Sequence, residues 1–281
     1  MTDQYAEVNG IRLHYRDCPG GDPPLLMLHG LTANAHNFDG LIDVGLSPRF
    51  RLLIPDLRGR GLSDKPDSGY TMADHAADIL ALLDVLAFDR ALICGWSFGG
   101  YLSYYLAANH PDRIHKVVSI DAPSTLHPDT KAMLQPSIDR LDKVVPSLKV
   151  FLEAMKQLPF LDGLWNPALE SYYTADVEIR PDGTVKPRSS PNAIDEAADG
   201  VLAEDWPRIA SQVRRPVLFL NGPAPFGPPG SPALVSKERA METVKLLPNG
   251  RYVQIPGNHM TMGFGDGAQK MVDEITAFIL E

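Results

Sequence analysis

Six short stretches of the chain are apolar at nearly every position: Leu25 to Leu28, Leu52 to Ile54, Ala91 to Cys94, Val117 to Ile120, Val217 to Leu220 and Tyr252 to Ile255. A strand with one wet face alternates apolar and polar residues. A strand that is apolar throughout has both faces covered, as in a parallel sheet sandwiched by helices. Helix-period segments lie between some of these runs. Met72 to Leu86 places Ile79, Leu82, Leu83 and Leu86 on one face, and Leu102, Tyr105 and Leu106 follow the same spacing further on. Met271, Ile275, Phe278 and Ile279 give the C-terminal helix its apolar stripe. Asn9-Gly10, between Tyr5 to Val8 and Ile11 to Tyr15, is a tight hairpin signal. Strands alternating with helices predict an α/β fold.

One long stretch, Pro123 to Trp206, breaks the rhythm. In its first part Leu134, Ile138, Leu141, Val145, Leu148, Leu152 and Met155 recur at helical spacing. In its second part Asp182-Gly183, Lys186-Pro187 and Ser190-Pro191 read as turns. The pattern predicts a core of residues 1–122 and 207–281, with 123–206 inserted as a lid. A chain of 281 residues has room for that arrangement.

The net charge of -9 disfavours nucleic acid or an anionic membrane as a partner. No apolar run approaches the roughly 18 residues of a membrane span, so no membrane insertion is expected. The first residues lack a signal-peptide pattern, and only Cys18 and Cys94 occur, which fits a reducing cytoplasm. Oligomeric state has no signature here.

The chemistry centres on Gly95-Trp96-Ser97-Phe98-Gly99-Gly100, after a strand and before a helix. A serine hydroxyl is a weak nucleophile and needs an exposed position and a base. A sharp strand-to-helix turn supplies the first, and its crowding demands flanking glycines. Leu28-His29-Gly30-Leu31 follows another strand, where a second oxyanion donor is needed; the backbone N–H groups of Leu31 and Phe98 are the candidates. Pro256-Gly257-Asn258-His259, beyond the last strand, offers His259 as the base. His29 is expected to brace its loop. No dinucleotide fingerprint, Cys-x-x-Cys or His-Glu-x-x-His is present, so neither cofactor nor metal is expected.

These motifs resemble the α/β-hydrolase superfamily over nearly the whole chain. Asp56-Leu57-Arg58-Gly59-Arg60-Gly61-Leu62-Ser63-Asp64 looks like the loop of lid-bearing members. Gly-Trp-Ser-x-Gly-Gly is similar to the elbow of bacterial carboxylesterases, and Asn258-His259-Met260-Thr261-Met262 to a loop of certain esterases and acyl-homoserine lactonases. The resemblance implies an α/β-hydrolase fold, with a mostly parallel eight-stranded sheet flanked by helices. One departure stands out. Where the family usually has Gly-x-x-Asp, this chain reads Gly222-Pro223-Ala224-Pro225. Several haloalkane dehalogenases carry the triad acid after the preceding core strand instead, and the same spacing from the nucleophile falls here on Asp121. Asp205, Glu204 and Glu238 are the alternatives, and Asp56 is expected to brace its loop.

The resulting expectation is hydrolysis of a small-molecule carboxylic ester or lactone, with Ser97 as nucleophile, His259 as base and Asp121 as orienting acid. Gly30, Trp96 and Met260 beside these residues, and Phe160 and Trp165 from the insertion, are candidates to line the substrate pocket. C–C bond hydrolysis or perhydrolysis on the same triad and a non-turnover receptor are the competing readings.

Overall fold

A computed structural model describes residues 1–281, with every side chain except that of Lys131. The sheet begins with β1 (Thr2–Val8) and β2 (Ile11–Cys18), an antiparallel hairpin turning through Asn9 and Gly10, both at positive φ. Then come β3 (Leu25–Leu28), α1 (Asp39–Asp43), α2 (Leu46–Arg49), β4 (Leu52–Pro55), α3 (Met72–Val85), β5 (Ala91–Trp96), α4 (Phe98–Asn109) and β6 (Ile114–Ile120). Between β6 and the next core strand lie α5 (Thr130–Ile138), α6 (Leu148–Lys156), α7 (Pro167–Ala175), the two-stranded pair β7 (Val177–Ile179) and β8 (Val185–Pro187), α8 (Pro191–Ala203) and α9 (Trp206–Gln212). The chain ends with β9 (Val217–Asn221), α10 (Lys237–Leu246), β10 (Gly250–Gln254) and α11 (Gly267–Leu280).

Eight strands form one sheet in the order β1-β2-β4-β3-β5-β6-β9-β10. Only β2 pairs antiparallel, with β1 and β4; the pairs from β4 to β10 are parallel. The six apolar runs are core strands, and two apolar clusters cover them. One lies under α3, α4 and α9, built on Ile79, Leu82, Leu102, Leu106 and Trp206. The other lies under α11, built on Met271, Ile275, Phe278 and Ile279. The order of connection reverses at β3 and β5, so their C-terminal ends flank a crevice of the kind in which open α/β sheets bind ligands. Among the described residues, no helix is long and apolar enough to cross a membrane.

The segment between β6 and β9 differs from its expected reading in three ways, the first being that Lys186-Pro187 is no turn but part of β8, opposite Glu178 and Val177. The apolar period from Leu134 to Met155 is not one helix: α5 and α6 are separate, and Val145 between them pairs with Val185. Pro146 follows Val145, and a proline pushes its predecessor into extended backbone. Ser190-Pro191 is no turn but a helix start. Ser190 caps α8 through its side chain, and Pro191 occupies the first turn, where its missing N–H costs nothing.

Candidate active site

Ser97 sits between the last residue of β5 and the first turn of α4 with φ of 53°. This left-handed backbone is unfavourable for a side-chain-bearing residue and concentrates at functional turns. The turn closes only because its neighbours lack side chains. A Cβ on Gly95 would lie 2.1 Å from the carbonyl oxygen of Gly99, and one on Gly99 would lie 2.0 Å from that of Leu28. The Ser97 N–H donates to the Ile120 carbonyl (2.7 Å), which ties the elbow to the end of β6.

Asp121 immediately follows β6, also at positive φ (49°), and is 1% exposed. Its Oδ1 accepts from Asn221 Nδ2 (2.9 Å) and from the Gly222 N–H (3.1 Å). Its Oδ2 lies 3.1 Å from Nδ1 of His259. A carboxylate only accepts, so the Nδ1 proton faces it and Nε2 is left for the nucleophile. Asn221 ends β9 and is held by donating to the Val235 carbonyl (3.0 Å) and accepting from the Tyr252 hydroxyl (3.1 Å). Strand β9, which the sequence leaves without a following carboxylate, therefore carries an amide that donates to Asp121. The alternatives lie elsewhere: Asp205 caps α9, Glu204 follows α8, and Glu238 is in the first turn of α10.

His259 is placed by its neighbours. Asn258 accepts from the Met260 and Thr261 N–H groups (3.0 Å each) and donates to the carbonyls of Phe160 (2.8 Å) and Pro225 (3.0 Å). Trp96 donates from Nε1 to the His259 carbonyl (3.0 Å), and the Phe226 ring meets the imidazole edge-on with centroids 5.8 Å apart.

The loop after β3 is gripped from behind. His29 is fully buried; Nδ1 donates to the Gly30 carbonyl (2.8 Å) and Nε2 accepts from the Leu57 N–H (2.9 Å). Burial lowers its pKa to about 4, so the ring is neutral. The Gly30 carbonyl belongs to the same peptide unit as the Leu31 N–H, so this bond points that N–H away from His29. Asp56 braces the loop through the N–H groups of Ala35 (2.7 Å) and Leu62 (2.8 Å) and through His14 Nδ1 (2.7 Å).

Two cavities meet at Ser97 and His259. A narrow one of about 80 Å³ is lined by Gly30, Leu31, Trp96, Phe160 and Met260, together with Arg140, Tyr172 and Tyr173. A larger one of about 610 Å³ has mostly apolar walls that include Phe98, Leu126, Ile138, Ala198 and Val201. Trp165 lines neither. It stacks on Tyr173 (5.7 Å between centroids, 10° between planes) and faces an outer cleft of about 800 Å³. His36 faces the same outer cleft, held by Asp39 (2.8 Å). Arg140, Tyr172 and Tyr173 come from the segment between β6 and β9, and only its folding brings them here; the sequence offered no signal for Arg140.

The family described as the alpha/beta hydrolase fold matches residues 23–156. The 2-(acetamidomethylene)succinate hydrolase of Mesorhizobium japonicum is 33% identical over 256 residues, covering 90% of this chain and 86% of that one. A crystal structure of E-2-(acetamidomethylene)succinate hydrolase superposes with a TM-score of 0.85 at 28% identity, covering 100% of this chain and 99% of the other. The enol-lactonase of Burkholderia xenovorans LB400 superposes with a TM-score of 0.75 at 22% identity, covering 99% and 100%, a likeness of fold.

Proposed function

The chain belongs to the α/β-hydrolase superfamily and is a hydrolase, and on that premise we propose that it cleaves a carboxylic ester or lactone through an acyl-enzyme on Ser97. The observation that carries this reading is the 3.1 Å contact between His259 Nδ1 and Asp121 Oδ2, with Ser97 and His259 lining shared cavities. His259 takes the Ser97 proton as the hydroxyl attacks the carbonyl carbon. Asp121 keeps the required tautomer and stabilises the imidazolium. The N–H groups of Leu31 and Phe98 bind the oxyanion, each worth about 3 kcal/mol in the transition state. His259 then protonates the leaving oxygen, and water repeats the sequence on the acyl-enzyme. Residues 123–206 act as a lid, and the large apolar cavity takes the bulkier half of an uncharged small molecule.

A second reading has one observation behind it. The relative of 33% identity is named for a substrate bearing an acetamido group and a succinate. Arg140, on the wall of the narrow cavity, would anchor a carboxylate of such a substrate. Asp176 already pairs with it, and Asp195 and Asp199 line the larger cavity, which favours the uncharged ester. Steady-state hydrolysis of isomeric alkyl esters, with 2-(acetamidomethylene)succinate alongside and Ser97→Ala as control, tests both. The ester reading requires Ser97-dependent turnover of the esters well above that of the dicarboxylate. Turnover of the dicarboxylate alone selects the second reading, and no turnover of any compound points to a receptor.

A further inference from the structure

Four arginines are buried in this molecule, and three of them face an aspartate: Arg16 with Asp39, Arg58 with Asp78, and Arg140 with Asp176. Arg60 is the exception. It has no exposed surface, and its partners are the Leu31 carbonyl (Nε, 3.1 Å), the Arg58 carbonyl (Nη1, 2.7 Å) and Nε2 of His75 (3.0 Å). Its Nη2 has no partner among the described residues. The guanidinium carbon lies 5.2 Å from the centre of the Phe98 ring. None of these neighbours is an anion. His75, bonded through Nδ1 to the Thr71 carbonyl, is held neutral by its burial. Burial also pulls the Arg60 pKa down to about 9, which still leaves it charged at neutral pH.

An interior cation without a counter-ion is unfavourable. Holding the Leu31 carbonyl does not require one, since a neutral amide donates as well. The position of the charge is informative. It lies against Leu31 and Phe98, the two residues whose N–H groups flank the expected oxyanion. We propose that Arg60 is a positioning residue of the oxyanion site: it braces the Leu31 turn, and its uncompensated charge stabilises the negative charge that develops between the Leu31 and Phe98 N–H groups. This rests on the reading of Ser97 as nucleophile. A buried charge is poorly screened by salt and solvent. It acts on the oxyanion far more than on the uncharged ester, so its effect falls on kcat rather than on KM.

The test compares Arg60→Met, Arg60→Gln and Arg60→Lys on one ester, with binding of an alkyl trifluoromethyl ketone as a mimic of the tetrahedral state. Arg60→Met should lower kcat by about 10- to 100-fold with KM within about threefold. Ketone affinity should fall in parallel. Arg60→Gln keeps a donor for Leu31 but not the charge, and should resemble Arg60→Met; it carries the test alone if the methionine variant does not fold. Arg60→Lys should recover most of kcat. Folded variants with wild-type kcat, a loss confined to KM, or a lysine variant as impaired as the glutamine one would each overturn the proposal. Ser97→Ala run beside them separates the two ideas: if it stays active the nucleophile is wrong, and if it alone is inactive only the role of Arg60 is wrong.

Discussion

The strand ends that carry Ser97, Asp121 and His259 and the residues between β6 and β9 that line the cavities beside them are built differently. At the strand ends, positive-φ backbone and hydrogen bonds of ordinary length hold the Ser97 main chain and the Asp121 and His259 side chains. Ser97 and Asp121 have left-handed backbones, and Asp121 receives two fixed donors besides His259. Between β6 and β9, aromatic stacking shapes the walls. Phe160 stacks on Phe226 with centroids 4.7 Å apart, Trp165 stacks on Tyr173, and Arg140 pairs with Asp176. Hydrogen-bonded geometry fails abruptly when one member is lost, whereas packed walls change shape by degrees. Changes at the strand ends should therefore abolish rate, and changes in the insertion should redistribute preference among substrates.

The largest expected effect is at the nucleophile. Ser97→Ala should reduce kcat by about 10⁴- to 10⁶-fold, and a fluorophosphonate should label the wild type at Ser97 alone, as read by intact-protein and peptide mass spectrometry. Asp121→Asn comes next, with a loss of as much as ~10⁴-fold in kcat, because the amide favours the wrong tautomer of His259 while filling the same space. Glu238→Gln and Asp205→Asn should stay close to wild type. A loss at either that matches Asp121→Asn would mean that the acid is not where β6 ends.

The same contrast decides what the sequence made legible. The elbow was readable because a steric rule forces glycine at Gly95 and Gly99 whatever lies around it. The central strands were readable because both faces are buried; β10, at the sheet edge, is only half-buried. Asp121 is legible only through the resemblance to several haloalkane dehalogenases, together with the carboxylate missing after β9, and nothing in the sequence points to Asn221 as its hydrogen-bond partner. The segment between β6 and β9 was harder to read because its rules compete. An apolar period argued for one helix through Val145, and Pro146 with the pairing to Val185 overruled it. Ser-Pro serves equally as turn or helix start, and context chose the helix at Ser190. Trp165 shows the limit of composition: an aromatic in the insertion was expected in the pocket, yet it supports Tyr173 from behind.

A smaller effect separates the two regions by pH. His29, beneath the oxyanion loop, is kept neutral by burial, with its pKa lowered to about 4. The unfolded chain takes up this proton near pH 6.5 and the folded chain resists it. The stability this residue supplies is therefore full above about pH 6.5 and declines as pH falls toward 4, by up to about 3 kcal/mol. His75 contributes with the same sign. His14 opposes them: burial alone would lower its pKa, but Asp56 and Asp3 outweigh that and raise it, so its contribution is lost as pH rises through the raised value. Melting temperature should fall between pH 6.5 and 4, with a flatter profile in His29→Gln. Parallel profiles would show that His29 is not the group being titrated.

The smallest effects belong to the insertion, and they test whether it acts as a selectivity wall. Ala198, on α8, faces the larger cavity, and Phe160 faces the narrow one. Ala198→Phe fills space that an alkyl group would occupy. If two methylenes lose their burial, the ratio of kcat/KM for long over short esters should drop by about tenfold, given roughly 0.8 kcal/mol for each. The kcat for a short ester should hardly move, because the strand-end geometry is untouched. Phe160→Ala should widen the narrow cavity and relax discrimination against bulk on that side. Trp165→Ala, one layer further out, should change every ratio by less than about twofold. Equal losses for all esters in Ala198→Phe would mean that the insertion holds the reacting groups in place instead of sorting substrates. A Trp165→Ala effect as large as that of Phe160→Ala would mean that the stacked pair with Tyr173 shapes the narrow cavity directly.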